Sequence, residues 1–341
     1  MKKVVSLGEI LLRLSPPQYQ TLTQANQLDC QFGGSELNVL ATLAQLGHQV
    51  SLISVIPDND LGRMTEQFLF SKQIGQDYIL RKGHRLGLYF YQKGFSLRAS
   101  RVTYDRKYSA FWESKLADFD FAKVFDGADW FHVSGITPAL TTDLYDLTYF
   151  LMEKAQGLGI KISFDLNFRA SLWDSFQDAR EKLSPLLKLA DVCIGLEPID
   201  LAGQDGDLKD ELGLSRPYKD QELLKQVLKE LAERYQLESI AFTQRESTHT
   251  NEYQLKAFLY QNGQLYKTEK AGIQVLDRVG TGDAFTAGLI HGLLNQSPAQ
   301  LVLDTAMSCF KFKHTIEGDI NVVTKHDIEQ LLYQESHEIK R

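Results

Sequence analysis

The residues best suited to do chemistry in this chain stand together at Gly280, Thr281, Gly282 and Asp283, at the head of an apolar stretch of helical period. Glycines allow the backbone to turn tightly, and the N–H groups that open a helix, aided by its dipole, attract an anion. A carboxylate beside such an anion hole can take the proton of an attacking hydroxyl while fixed dipoles steady the transferred group. That combination suits phosphoryl transfer. The spacing alone equally suits an ordinary turn followed by a first-turn acid that favours the helix dipole. The stretch is not a Walker A loop, because no GK[ST] follows the glycines.

The elements around this turn say what must hold it. Apolar positions 285, 289 and 293 give the following helix one buried face, and Gly288 and Gly292, one turn apart, let it approach a neighbour closely. Val4 to Leu7 reads as a buried strand. Gly33-Gly34 then leads into SELNVLATLAQLG, where Ser35 is placed to cap a helix ending at Gly47. VSLISVI follows as a strand and about 63–72 as a helix. From Trp130 the alternation resumes, with WFHVSGI, IKISFDL, DVCIGL and SIAFTQ as strands and helices near 141–156, 175–189 and 219–235. YQLKAFLYQNGQLYKTE reads as a hairpin turning at Asn262-Gly263. This order predicts an α/β fold with a doubly wound, mostly parallel sheet flanked by helices, whose ligand site lies at the carboxyl ends of the strands.

Two stretches break that texture. Residues 11–32 and 86–109 are rich in aromatic and β-branched residues and predict a small β layer, a lid or a subunit interface. The expected division is therefore a nucleotide- and substrate-binding core of 1–10, 33–85 and 110–341, with 11–32 and 86–109 inserted as a β lid.

Composition narrows the partners. A net charge of -7 argues against nucleic acid and anionic membrane surfaces, so an anionic ligand must be held by locally placed Arg, Lys or backbone N–H groups. Cys30, Cys193 and Cys309 carry no metal-ligand spacing and are expected to be buried free thiols, and His132 to be a core histidine. The N-terminal apolar run is interrupted by Gly8, Glu9 and Arg13, which argues against a signal peptide and for a cytoplasmic protein.

With these residues in view, DRVGTGDAFTAG resembles the second signature of the ribokinase or PfkB family of carbohydrate kinases, and GGSELNVLATLAQLG followed by DNDLGR resembles its first. The resemblance runs from about Val5 to about Asp327. LGEILLRLSP, GLYFY, VTYDR, SGITPAL and DLNFRASLW are similar to the branch that phosphorylates 2-keto-3-deoxygluconate. What this resemblance implies is a ribokinase-like fold with a small β lid. It further implies Asp283 as general base and Gly34, Asn38, Tyr89, Tyr104, Arg106, Ile136 and Arg169 as sugar-binding residues. Two arginines clamping a planar carboxylate would distinguish a sugar acid from a neutral sugar. ATP and Mg2+ follow from the chemistry. Asp277 lies, by resemblance, near a monovalent-cation site of some members, so K+ is a candidate; an Asp before a tight turn also commonly bonds neighbouring N–H groups.

The chain departs from the family pattern in two places. Of the N-x-x-E that helps organise Mg2+ only Glu197 remains, and FTQRESTHT replaces a nucleotide-side G-x-x-G. Thr243, Gln244, Arg245 and Gly282 are left as nucleotide-side candidates, with the nucleotide preference open. A fructokinase or another sugar kinase of the family is the alternative enzyme, and a sugar-binding protein without turnover the alternative of another class. The exposed β layer makes a homo-oligomer the expected assembly.

Overall fold

The computed structural model describes residues 1–199, 221–249 and 251–333. Its strands are β1 Lys3–Leu7, β2 Leu11–Ser15, β3 Asp29–Gly33, β4 Gln49–Ile56, β5 Ile74–Gly75, β6 Ile79–Arg81, β7 Gly87–Gln92, β8 Arg101–Asp105, β9 Trp130–Ser134, β10 Lys161–Asp165, β11 Val192–Ile194, β12 Ser239–His249, β13 Glu252–Gln261, β14 Gln264–Lys267 and β15 Ala271–Gln274. The described helices are α1 Ser35–Gln45, α2 Asp60–Ser71, α3 Thr142–Gly157, α4 Phe176–Leu187, α5 Gln221–Tyr235, α6 Thr281–Leu294, α7 Ala299–His314 and α8 Lys325–Tyr333. The helix expected near 219–235 is α5, its first two expected residues lying outside the described ones.

The central sheet runs β14-β13-β12-β11-β10-β9-β1-β4-β5, with β6 joined to β4 and β15 to β13. Strands from β4 across to β12 pair in parallel, and only β13, β14 and β15 run against their neighbours. β1 pairs with β4 on one side and β9 on the other, so the chain reverses its winding there. A crevice opens beyond the carboxyl ends of strands at such a reversal. Both faces are covered, as the near-continuous apolar strands require. One core joins Phe131, Ile162 and Phe164 to Leu147 of α3, Leu183 of α4 and Leu228 of α5. The other joins Val4 and Leu52 to Leu40 of α1, Phe285 of α6 and Phe310 of α7.

The predicted close approach of α6 holds at the atomic level. A Cβ on Gly288 would lie 2.7 Å from Ala306 Cα, and one on Gly292 2.9 Å from Val302 Cα, both on α7. The hairpin also turns as expected, with Asn262 and Gly263 both at positive φ. A second sheet of order β3-β2-β7-β8 draws together the two stretches that broke the α/β texture.

Helix starts differ in a way that bears on chemistry. Asn59 accepts from the N–H groups of Leu61 and Gly62 at the start of α2, Thr141 from Leu144 on α3, and Ser175 from Asp178 on α4. These helices satisfy part of their own ends. α1 and α6 begin at Gly34 and Gly280 with no side-chain cap. The expectation that Ser35 caps α1 is corrected here: it is the first helical residue, and its hydroxyl is directed elsewhere. Cys30 is likewise exposed on the small sheet rather than buried, while Cys193 and Cys309 are buried. His132 is fully buried and bonded to Ser163 Oγ, and burial lowers its pKa to about 3. No helix among the described residues is long and apolar enough to cross a membrane.

Candidate active site

Asp283 lies in the first turn of α6 and is 9% exposed. Its Oδ1 accepts from Ser35 Oγ at 2.9 Å and its Oδ2 from Asn38 Nδ2 at 2.7 Å, both donors standing on the first turn of α1. Ser35 in turn accepts from Asn167 Nδ2 at 2.9 Å. Two uncapped helix starts thus face each other across one carboxylate. The amide oxygen of Asn38 is buried with no protein partner, leaving an acceptor beside Asp283 for a ligand hydroxyl.

The turn before Asp283 has the form that the glycines predicted. Gly280 has φ 76, in the left-handed region, and a Cβ there would lie 2.0 Å from the carbonyl oxygen of Asp319, so glycine is needed on both counts. A Cβ on Gly282 would meet nothing within 4 Å. The space over the start of α6 is therefore open, and its first N–H groups can receive a phosphate. Gly34, at φ 148, carries the other helix start, where a Cβ would lie 2.2 Å from the Glu9 carbonyl oxygen.

Two further carboxyls surround Asp283. Glu36 is buried and accepts from Ser134 N–H at 2.9 Å and from Ser134 Oγ at 2.6 Å, which ties α1 to the end of β9 at the winding reversal. Asp165, at the end of β10, accepts from Asn167 N–H at 3.0 Å. Burial raises Glu36 to about 7 against its Ser134 bonds. Burial and the charge of Asp283 raise Asp165 to about 7. Burial raises Asp283 to about 6, opposed by the bonds from Asn38 and Ser35 and by the positive charge of Arg169. A carboxyl poised near neutrality can take up a proton and release it, as acid–base work requires.

The arginines are arranged unequally. Arg169 is exposed just beyond β10, one Nη1 bond reaching the Phe168 carbonyl at 3.3 Å, and its charge acts on both Asp165 and Asp283. Arg106 is 7% exposed and bound through Nε, at 2.8 Å, and Nη2 to Glu9 Oε2. Much of its fork is thus occupied by a carboxylate of the chain itself. Its guanidinium carbon lies 5.6 Å from the centre of the Tyr104 ring, which is half exposed. The Tyr89 ring is 5.8 Å from that of Tyr104, but its hydroxyl donates to Asp319 and is buried.

The remaining candidates spread outward. Ile136, half-buried, follows β9, with its N–H on Ser134 Oγ at 3.3 Å. Asp277 is buried, its carboxylate accepting from Arg13 and from the N–H groups of Val279 and Gly318. Glu197 follows β11. Thr243 and Gln244 sit on β12, Gln244 donating to Glu246 at 3.2 Å and Arg245 reaching Thr281 Oγ1 at 3.5 Å. Of the three candidates on β12, Arg245 contacts the anion turn, of which Gly282 is itself a part.

Sequence reading missed Ser35, Glu36, Asp165 and Asn167 as parts of this site, and Glu9, Arg13 and Asp319 as its supports. The available signal was a charged residue inside an apolar run, as in ILLRLS, SELNVL and ISFDL. A buried charge in such a run needs a partner.

Comparison with known proteins identifies the family and the fold. The model of the pfkB family carbohydrate kinases matches residues 1–309. The crystal structure of 2-dehydro-3-deoxygluconokinase from Thermotoga maritima superposes with a TM-score of 0.89 at 36% identity, covering 97% of this chain and 98% of that one. A 2-dehydro-3-deoxygalactonokinase of Haloferax volcanii is 29% identical over 330 residues, 97% of this chain and 96% of the relative. A fructokinase double mutant of Vibrio cholerae O395, solved with fructose, ADP and potassium ion bound, has a TM-score of 0.74 at 20% identity, covering 97% of this chain and 98% of that one. This last likeness is one of fold.

Proposed function

Given that the chain belongs to the pfkB family of carbohydrate kinases, we propose that it transfers the γ-phosphoryl group of ATP to the 6-hydroxyl of 2-keto-3-deoxygluconate. The observation that carries this reading is the Asp283 carboxylate, buried at an uncapped helix start and held by two neutral donors. In this reading Asp283 takes the proton of the 6-hydroxyl as that oxygen bonds to the γ-phosphorus and the bond to ADP breaks. The N–H groups of Gly280 to Gly282 receive the charge on the transferred group. Glu197 is the chain's own candidate for arranging Mg2+, which when bound with ATP would neutralise the phosphate charge.

The sugar rests on the Gly34 turn, Asn38, Ile136 and the lid Tyr104, with its carboxylate toward Arg169. The names of the Thermotoga and Haloferax relatives support a 2-keto-3-deoxy sugar acid and leave its epimer to experiment. Arg106 plays a lesser part than its motif suggests, because Glu9 occupies its Nε and Nη2. The small sheet serves as the lid. Its outer strand β8 is exposed along its length, with Val102 and Tyr104 at the surface, which suits pairing with a second copy.

The test is a coupled ADP-release assay with ATP and Mg2+ across 2-keto-3-deoxygluconate, 2-keto-3-deoxygalactonate, fructose, ribose and 5-keto-2-deoxygluconate. Turnover of a 2-keto-3-deoxy acid is expected, and phosphorylation of neutral sugars alone would overturn the substrate assignment. Arg169→Ala should then lower kcat/KM for the acid about tenfold or more relative to fructose, the worth of a hydrogen bond to a charged group. An equal loss on both substrates would remove Arg169 from carboxylate binding.

A further inference from the structure

Beneath the Gly280–Gly282 turn lies a second group of charges that the reaction does not touch. Arg13, from β2 of the small sheet, donates through Nη2 to Asp277 Oδ2 at 2.8 Å and through Nη1 to Asp319 Oδ1 at 2.9 Å. All three side chains are at most 3% exposed. Asp277 also accepts from Val279 N–H at 3.0 Å and Gly318 N–H at 3.1 Å, and Tyr89 donates to the other oxygen of Asp319. A second cation, Lys313 near the end of α7, is fully buried and donates through Nζ to the Ile316 carbonyl oxygen at 2.9 Å. Burial lowers its pKa below the ordinary lysine value, and the charges of Asp277 and Asp319 oppose that shift and favour the ammonium form.

These facts decide how well a monovalent cation, the candidate raised for Asp277, fits the residues present. Such an ion needs oxygen atoms to replace its hydration shell. Here the Asp277 and Asp319 carboxylates already accept from Arg13, and the Ile316 carbonyl from Lys313. Two positive side chains balance two carboxylates, so a third positive charge would enter a neutral cluster at a desolvation cost with no countercharge left to offset it. The residues present do not fit the ion.

We propose that Arg13 and Lys313 are positioning residues that supply, as fixed parts of the chain, the positive charge a bound monovalent cation would supply, so that the anion turn is ordered and phosphoryl transfer needs no K+. Asp319 transmits the effect. Its carbonyl oxygen packs against Gly280, where a Cβ would lie at 2.0 Å, while its carboxylate joins Arg13 and Tyr89. The inference rests on the kinase reading for its catalytic consequence but not for its binding consequence.

The experiment uses the full chain with ATP and Mg2+ in tetramethylammonium buffer, with K+ replacing tetramethylammonium at constant ionic strength. Between zero and about 100 mM K+, kcat and KM for ATP should change less than about twofold, and the melting temperature should not rise, since an ion that binds only the folded state must stabilise it. Activation of about tenfold, or a rise in melting temperature specific to K+ over tetramethylammonium, would overturn the proposal. Lys313→Met, which opens the Ile316 carbonyl, should lose activity and regain part of it with K+. A Lys313→Met protein as active as the wild type without K+ would remove Lys313 from the account. Should Lys313→Met fail to fold, the wild-type measurements still decide. If no sugar is phosphorylated in any salt, the kinase reading fails, while the melting experiment still tests the cation.

Discussion

Two groups of buried carboxylates lie on the two sides of one glycine turn, and they are treated in opposite ways. Before the turn, Asp277 is joined to Asp319 by Arg13, with Lys313 close by, and charge is met by charge. After it, Asp283 is held by a hydroxyl and an amide, with the buried carboxyls of Asp165 and Glu36, both raised toward neutrality, as its neighbours and Arg169 at the exposed rim. Pairing makes a rigid support. Neutral donors instead orient a carboxylate while burial keeps its proton affinity high, which is what a base working near neutral pH needs. Burial works against the charge of Arg13, yet its two carboxylates outweigh that and hold it firmly ionised.

Breaking the reactive side should have the largest effect on rate. Asp283→Asn keeps the shape and removes the base, so kcat should fall by about 10³-fold while calorimetry still detects the sugar acid. Retention of more than about a tenth of the activity would deny Asp283 its role as base. The same change removes a buried charge and should leave folding stability equal or greater.

Breaking the supporting side should reverse that pattern. Arg13→Met leaves two buried carboxylates without their partner and should cost about 3–5 kcal/mol in urea denaturation. A loss below about 1 kcal/mol, the range of a surface pair, would mean that the two groups do not differ as described.

A smaller effect sharpens the contrast through pH. Burial raises Asp283 to about 6, so kcat/KM should be level above that pH and fall as pH drops through it, because only the ionised carboxylate accepts the proton. The sign for stability is opposite. A carboxyl whose folded pKa is raised stabilises the fold below its unfolded pKa and loses that contribution as pH rises through about 6. The stability gap between Asp283→Asn and the wild type should therefore widen from pH 4 to pH 7. Ser35→Ala removes a bond that favours the charged form, and the acid limb of its rate profile should move to higher pH. An unmoved limb would leave Ser35 as packing.

Some of this was legible because it is local. A glycine turn, a carboxylate next to it and an apolar helical period occupy consecutive residues, so Gly280 to Asp283 and the face of α6 could be read directly. The strand and helix alternation was readable for the same reason, since period and turn chemistry act over short spans. The β layer was visible as a change in composition, although neither stretch reveals that β2 pairs in parallel with β7. Ser35 shows where local reading fails. Its position suggested a cap, but a carboxylate 248 residues away in sequence competes for its hydroxyl and wins.

What the sequence determined by itself was the α/β order, the anion turn and the carboxylate beside it, because hydrogen-bonded turns and helix starts are set by neighbouring residues. Only the tertiary structure decided which charges meet. Arg13 and Asp319 are 306 residues apart and Glu36 reaches Ser134 across 98, and no local periodicity records such pairs. They exist because winding the chain outward from β1 brings strand ends and two helix starts to one crevice, where buried charges must find partners or shift their protons. That placement separates Asp283, left to titrate, from Asp277, tied down by an arginine.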